Sequence, residues 1–498
     1  MPTAHVASIA MKHACPLLYC LCVSLLAACG GGGGSSAPLV TVTVTPAVAS
    51  VMFAEQIQLT ATTTNAKDPV TWSSSNTAVA TVNATGLVMA SLLNLGQVTI
   101  TATSGEASGT ATLTITRGIV FLNVSSGSNH TCGVGGVPGS IAYNVAYCWG
   151  DNSSGQLGNG TTINSATPVP VSGGLSFSTV SAGGNQTCGL TTDGVTYCWG
   201  DNSSGQLGNG TTTSSSVPSR VAGGHGFTRV SVGDKHVCAE SGDGGTVPHC
   251  WGDNSSGQLG NGTMTNSPVP VPVTINIAGG RYPPGYSSIA GVSAGSSHTC
   301  ATASGNEGFI TYSTSICWGD NGSGQLGNGT TINSAVPVAL SVTPGVAFSA
   351  GTFFTCTYSS GPNAAMFQYC WGNNGVGQLG NGTTTNSTTP VLIAGGISFT
   401  SISSGGMHAC GVGGVAGAYC WGGNSSGQLG NGTMTNSAMP VAVAGNLEFL
   451  TVSAGGSHTC GISGIEGGTY CWGDNTFGQL GNSWTTASSV PVNVAGSP

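Results

Sequence analysis

The tripeptide Cys-Trp-Gly occurs seven times, at Cys148, Cys198, Cys250, Cys317, Cys370, Cys420 and Cys471, and each copy is followed at a fixed offset by Gly-Gln-Leu-Gly. Such self-similarity means one supersecondary unit that cannot bury its apolar face alone and must stack on copies of itself. The seven copies fall within residues 119–494, so each unit takes about 54 residues. One unit reads Phe177-Ser-Thr-Val-Ser-Ala-Gly183, Thr187-Cys188-Gly-Leu, a Thr192-Asp193-Gly194 turn, Val195-Thr-Tyr-Cys198-Trp199-Gly200-Asp-Asn202, Gly205-Gln-Leu-Gly208 and Val217-Pro218. That is strand, hairpin, strand, Gly-rich turn and strand. Short strands punctuated by Gly and Asn at this period predict radial blades rather than a single sheet.

Composition narrows the chemistry. Lys plus Arg is 7 and Asp plus Glu is 15 in 498 residues, so only about 4% of the chain is charged, against roughly 25% in an ordinary soluble domain. Neutralising phosphates needs clustered Lys and Arg, which excludes an electrostatic nucleic-acid binder. Gly is 84 residues without a three-residue period, and nine Trp with a 39% apolar fraction supply a core, which argues against collagen and disorder.

The N-terminus reads as an export signal, residues 1–28. Met11-Lys12-His13 precedes an apolar run from Ala14 to Ala28, too short for a spanning helix of about 20 residues. Met11, which puts the single Lys at the head of this run, is a more natural start than Met1. The run ends in Leu26-Ala27-Ala28-Cys29-Gly30, which resembles the lipobox of bacterial lipoproteins and implies lipidation of Cys29. Residues 29–38 would then be a flexible Gly/Ser tether. The resemblance places the mature chain on the outer membrane or surface of a bacterium, touching membrane through the anchor.

Residues 39–116 alternate Thr with Val, Ala or Ile, as in Val40-Thr-Val-Thr-Val44 and Val98-Thr-Ile-Thr-Ala102, which puts apolar side chains on one face of a strand. This predicts a two-sheet sandwich. Val70-Thr-Trp72-Ser-Ser-Ser-Asn76, Ala78-Val-Ala-Thr-Val82 and Thr85-Gly-Leu87 resemble the bacterial immunoglobulin-like group 2 domain, with Trp72 as core packing between sheets.

The sevenfold Trp-Gly-x-Asn-x-x-Gly-Gln-Leu-Gly pattern of residues 119–494 resembles the regulator of chromosome condensation repeat family, whose members fold as seven-bladed β-propellers. Only Asn373 and Gly423 replace the Asp that follows Cys-Trp-Gly elsewhere. The expected fold class is therefore all-β, an immunoglobulin-like β-sandwich followed by a seven-bladed β-propeller. The family takes its name from nuclear guanine-nucleotide exchangers, a role that a sparsely charged, exported chain is poorly placed to play, since fold alone does not transfer function. Ring closure is expected from the cut of the repeat: Val120 opens the first unit without a preceding Pro-Val strand, so the surplus Val490-Pro-Val-Asn-Val494 should pair into the first blade.

Of 18 cysteines, Cys15, Cys20, Cys22 and Cys29 belong to the leader, and fourteen fall two to a unit. The pairs are Cys132 with Cys148, Cys188 with Cys198, Cys238 with Cys250, Cys300 with Cys317, Cys356 with Cys370, Cys410 with Cys420, and Cys460 with Cys471. Cys188 and Cys198 are symmetric about Asp193, hence opposite one another on adjacent strands. In an oxidising compartment this predicts seven intra-blade disulfides. Two thiols per blade do not make a tetrahedral zinc site, so no metal and no cofactor is expected.

His130, His236, His298, His408 and His458 stand two before the first Cys of their units, where Gln186 and Phe354 stand in the others. A side chain replaceable by Phe is not a required ligand, so these read as packed histidines bonded to backbone. Asp151, Asp201, Asp253, Asp320 and Asp474 read as turn caps rather than calcium ligands. Gly291-Val-Ser293-Ala-Gly295 matches a nucleophile elbow, yet it is one copy of the Val-Ser-Ala-Gly strand. No catalytic residue is assigned. Between Cys250 and Cys300 about ten residues are inserted, within Ile275 to Ser288, and they carry Arg281, Tyr282 and Tyr286, residue types that make binding hot spots. The hairpin tips between paired cysteines also vary and form a second candidate surface. The sequence thus favours a monomeric, non-catalytic surface protein that binds protein or glycan, over a polysaccharide hydrolase or lyase on the same scaffold.

Overall fold

The computed structural model describes residues 39–497 apart from 53–55, 92–93, 117, 138–143, 243–246, 275–285, 308–309, 341–345, 360–367, 414–416 and 465–466. The leader, Cys29, the tether, Arg281 and Tyr282 lie outside the described residues. Every helical or strand element among the described residues is a strand.

In the N-terminal domain the alternation of the sequence becomes burial. Val42 and Val44 of strand Thr41–Thr45 point inward while Thr41, Thr43 and Thr45 stay exposed. Strands Val48–Met52, Ala107–Thr116, Gly96–Ser104 and Thr71–Ser74 pair in that order, with the first pair parallel. A three-stranded sheet of Gln56–Gln58, Leu87–Ala90 and Ala80–Val82, and the pair Thr41–Thr45 with Thr60–Thr64, complete the domain. All three contribute to one core that includes Leu59, Val88, Ile100, Leu113 and Ile115, against which the half-buried Trp72 packs.

Residues 120–497 form seven sheets of four antiparallel strands, each in simple sequence order. Blades 1 to 7 span 120–170, 177–220, 227–272, 286–339, 346–392, 399–442 and 449–493. The first strands meet around a central cavity touched by all seven blades. The second and third strands form the hairpin that aligns the cysteines, Cys132 with Cys148 and Cys188 with Cys198. All seven pairs are joined as disulfides, with Cα atoms 4.0–4.1 Å apart. The fourth strand is the outer edge, and Pro168, Pro218, Pro270, Pro337, Pro390, Pro440 and Pro491 interrupt its row of donors. Proline on an exposed edge discourages pairing with other chains.

Ring closure differs from the sequence expectation. Strand Ser488–Asn493 pairs with Thr469–Gly473 of its own blade, Cys471 opposite Val492, and blade 1 has its own fourth strand, Ser165–Pro170, with Cys148 opposite Val169. The Pro-Val strand follows its Cys-Trp-Gly strand in the same sheet, so no strand is surplus. The ring instead closes at the seventh joint, which repeats the side-chain bonds of the others and adds backbone bonds from Gly456 N to Gly127 O at 3.1 Å and from Ile119 N to Gly496 O.

Candidate functional site

Each joint starts from the Gly-Gln-Leu-Gly turn of one blade, which lies under the tryptophan of the next. Trp199 is fully buried, and its Nε1 donates to the Gln156 carbonyl at 2.9 Å. The same bond recurs at all seven joints at 2.8–3.0 Å, including Trp149 to Gln479, which closes the ring. The last glycine of the turn is required twice over. Gly208 has φ of +65°, and a Cβ there would sit 2.6 Å from Trp251 Nε1.

A second bond crosses five of these joints. His130 Nε2 lies 2.8 Å from Thr187 Oγ1 of the next blade, and Thr187 donates its hydroxyl to the same Gln156 carbonyl at 2.9 Å. The hydroxyl has one proton and spends it on the carbonyl, so it accepts from the histidine, which fixes the Nε2–H tautomer. His236 with Thr299, His298 with Thr355, His408 with Thr459 and His458 with Thr131 repeat the arrangement. The expected backbone partner is thus corrected to a threonine hydroxyl, because the neighbouring blade, not the histidine's own strand, faces the ring. Burial holds these imidazoles neutral: the pKa falls to about 4 for His130, His236 and His408, and to about 3 for His298 and His458.

The two joints without histidine also lack threonine. Gln186 faces a blade with Val237 in the threonine place and turns its Nε2 to the Gly233 carbonyl at 2.9 Å, while Phe354 precedes a blade with Ala409 there. Donor and acceptor disappear together, so neither is left buried and unpaired.

Nearer the axis, Ser125 Oγ accepts from Ala182 N of the next blade at 2.9 Å, and all seven joints repeat this at 2.7–3.3 Å. Ser293 of the apparent nucleophile elbow is one of this ring, taking the Ala350 amide at 3.0 Å. Then come Gly127, Gly183, Gly233, Gly295, Gly351, Gly405 and Gly455, each so close to the next that a methyl group would overlap the neighbour's carbonyl oxygen. The cavity they enclose is about 80 Å³, room for water but not for a sizeable substrate.

The recurring acids of the repeat work within their own turns. Asp201 accepts from Ser203 N at 3.1 Å and from Gln206 Nε2 at 2.7 Å, and Asp151, Asp253, Asp320 and Asp474 take the matching glutamine at 2.6–2.9 Å. Asn373 does the same with an amide oxygen at 2.7 Å from Gln378. Asn202 Oδ1 receives Leu207 N at 2.8 Å, and its Nδ2 reaches the Thr211 and Thr213 carbonyls at 3.0 Å. These turns and the joints occupy one face. The opposite face carries the far ends of the second and fourth strands and, among the described residues, the blade 2 hairpin tip 192–195 and the link 221–226.

Of the candidate binding residues, only Tyr286 is among the described residues. Tyr286 opens strand Tyr286–Ala294, whose backbone pairs with Gly305, and Arg281 and Tyr282 precede it outside the described residues. The threonines that complete the joints were not singled out in the sequence, although each immediately precedes the first cysteine of its blade.

Residues 39–115 match the bacterial Ig-like domain (group 2). Residues 145–190, 193–239, 249–302, 316–358, 369–412, 417–462 and 466–498 match the Regulator of chromosome condensation (RCC1) repeat. The Ultraviolet-B receptor UVR8 of Arabidopsis thaliana is 33% identical over 127 residues, 24% of this chain and 26% of its own length. The chain therefore spans about a quarter of the length of that curated relative. Among solved structures, yeast RCC1 (Prp20) in its complex with Kap60 superposes with a TM-score of 0.57 at 18% identity, covering 70% of this chain and 83% of that one. Human WBSCR16 gives 0.56 at 21% identity, covering 68% and 86%. These structures share the propeller fold, and with the repeat matched over more than half of its length, the chain belongs to the regulator of chromosome condensation repeat family.

Proposed function

We propose that the chain is an exported, lipid-anchored, non-catalytic binding protein that docks a protein partner on the hairpin face of its propeller. The observation that carries this reading is where variation is tolerated. Paired cysteines are separated by 16, 10, 12, 17, 14, 10 and 11 residues from blade 1 to blade 7, on a ring whose tryptophan joints repeat in every blade. Loops of differing length held side by side on a rigid support suit recognition. Solved propellers of this fold are described as bound to Kap60 and as binding Gsp1p and histones; those partners are theirs, and the property taken from them is protein docking. Export is supported by the leader sequence and by the fourteen paired cysteines. Lipidation of Cys29 would hold the propeller outside the membrane behind the immunoglobulin-like domain.

A photo-crosslinking residue at Asp193 on the hairpin face and, separately, at Ser203 on the turn face tests the docking surface in native cells. The reading expects a discrete non-self adduct from Asp193 and none from Ser203; adducts from Ser203 alone contradict it. Palmitate labelling lost in Cys29→Ser checks the anchor, and a labelled C29S chain removes it.

A further inference from the structure

One seam of the ring departs from its sisters in a concerted way. The links into blades 2, 6 and 7 place Leu175, Ile397 and Leu447 against the blade cores, together with Tyr197, Tyr419 and Tyr470 from the third strands. The link into blade 3 has the same length, yet His225 takes the aliphatic place and His249 the tyrosine place. Their rings lie in contact, centroids 4.5 Å apart and planes tilted by 32°, and the Phe227 ring lies 5.4 Å from His225. Ser241 Oγ lies 3.2 Å from His249 Nδ1. An apolar pair has been exchanged, at two positions distant in sequence, for two imidazoles in contact.

Beside them is a cavity of about 180 Å³, lined by Asp193 to Thr196, Arg220 to Ala222 and Gly224 to Phe227. Arg220 is one of only four cations beyond residue 119, with Arg229, Lys235 and Arg281, and blades 1 and 3 to 7 end the same strand with Pro170, Pro272, Ala339, Leu392, Ala442 and Asn493. The walls are tied down: Val221 N donates to Thr196 O at 3.0 Å, Ala222 N to Gly208 O at 2.9 Å, and Thr191 Oγ1 to Val195 O at 2.8 Å. A pre-formed wall lowers the ordering cost of binding.

We propose that this cavity is a binding site for an acidic sugar unit. Arg220 takes the carboxylate as a planar, permanently charged fork. The ring of His225 offers a flat surface to a sugar face, and Asp193 accepts from sugar hydroxyls. A neutral sugar leaves Arg220 unanswered, and a bare carboxylate leaves the imidazole face empty, so both parts of the ligand are needed. The site adds to protein docking on the same face without depending on it, and either can fail alone.

The test is calorimetric titration of the full chain with D-glucuronate, with D-glucose and sodium acetate as parallel probes. Saturable glucuronate binding is expected in the millimolar range, with neither of the others binding comparably. Arg220→Gln should weaken it about tenfold or more, and so should the double variant His225→Leu/His249→Tyr, which installs the side chains that blades 2 and 7 already carry and so preserves folding. Absence of glucuronate binding, equal binding of acetate or glucose, or binding unchanged in either variant would overturn the proposal. A protein adduct at Asp193 is told from a glycan adduct by its mass, so the docking reading and the sugar site fail separately.

Discussion

The two faces of the propeller are held to different tolerances. On the turn face the step from the cysteine of Cys-Trp-Gly to the glutamine is eight residues in every blade, from Cys148 to Gln156 through Cys471 to Gln479. On the hairpin face the step between paired cysteines ranges from 10 to 17. The turn face is constant because it makes the joints: its glutamine carbonyl receives a tryptophan in every case and a threonine in five. The hairpin tips are cut off from that role by the disulfide at their base, so their length can drift while the ring stays closed.

Acid should break this contrast most strongly. The five joint histidines have folded pKa values of about 3 to 4, below the unfolded value near 6.5, so unfolding takes up protons between those limits. Stability is therefore full above pH 6.5 and falls as pH drops toward 4, by about 1.4 kcal/mol per pH unit for each histidine that gains a proton on unfolding. Urea unfolding across this range reads the slope, and a flat profile contradicts the buried neutral imidazoles. Next in size, Trp199→Ala should cost about 3–5 kcal/mol by the same assay, since it empties a fully buried site and frees the Gln156 carbonyl. A loss under about 1 kcal/mol would move the joint elsewhere.

Thr187→Val sharpens the comparison between joints. It strands the His130 Nε2–H and should cost about 1–3 kcal/mol. Adding His130→Gln copies the joint of Gln186 with Val237, so the double variant should be more stable than the sum of its parts predicts; strict additivity would show that the two side chains do not work as a pair. The smallest effect belongs to the hairpin face. Asp193→Ala, at an exposed tip, should shift stability by no more than about 0.5 kcal/mol.

The blades were legible because their information is local. Cys188 and Cys198 announce a hairpin through their symmetry about Asp193, and the alternating Thr and Val of Thr41–Thr45 announce an inward face, without knowledge of any neighbour. What crosses between blades was not. His130 and Thr187 are 57 residues apart, and only the adjacency of consecutive blades brings them together. A signal was present all the same: histidine is followed by threonine before the next unit's first cysteine in five joints, and both are missing in the other two. The closure error has the same origin. Spacing alone leaves Val490 to Val494 free to belong to the sheet before or after, and only the pairing of Cys471 with Val492 decides. The exchange of Leu and Tyr for His225 and His249 was likewise hidden until the link and the third strand met.

The claim on which the rest stands is that every blade is closed by its own disulfide, as an exported chain allows. Alkylation of the native protein without reduction, followed by peptide mass mapping, measures this directly. The account predicts that Cys132, Cys148, Cys188, Cys198, Cys238, Cys250, Cys300, Cys317, Cys356, Cys370, Cys410, Cys420, Cys460 and Cys471 all escape the label and appear as seven linked peptide pairs within single blades. Labelled propeller cysteines, or links between blades, would contradict it.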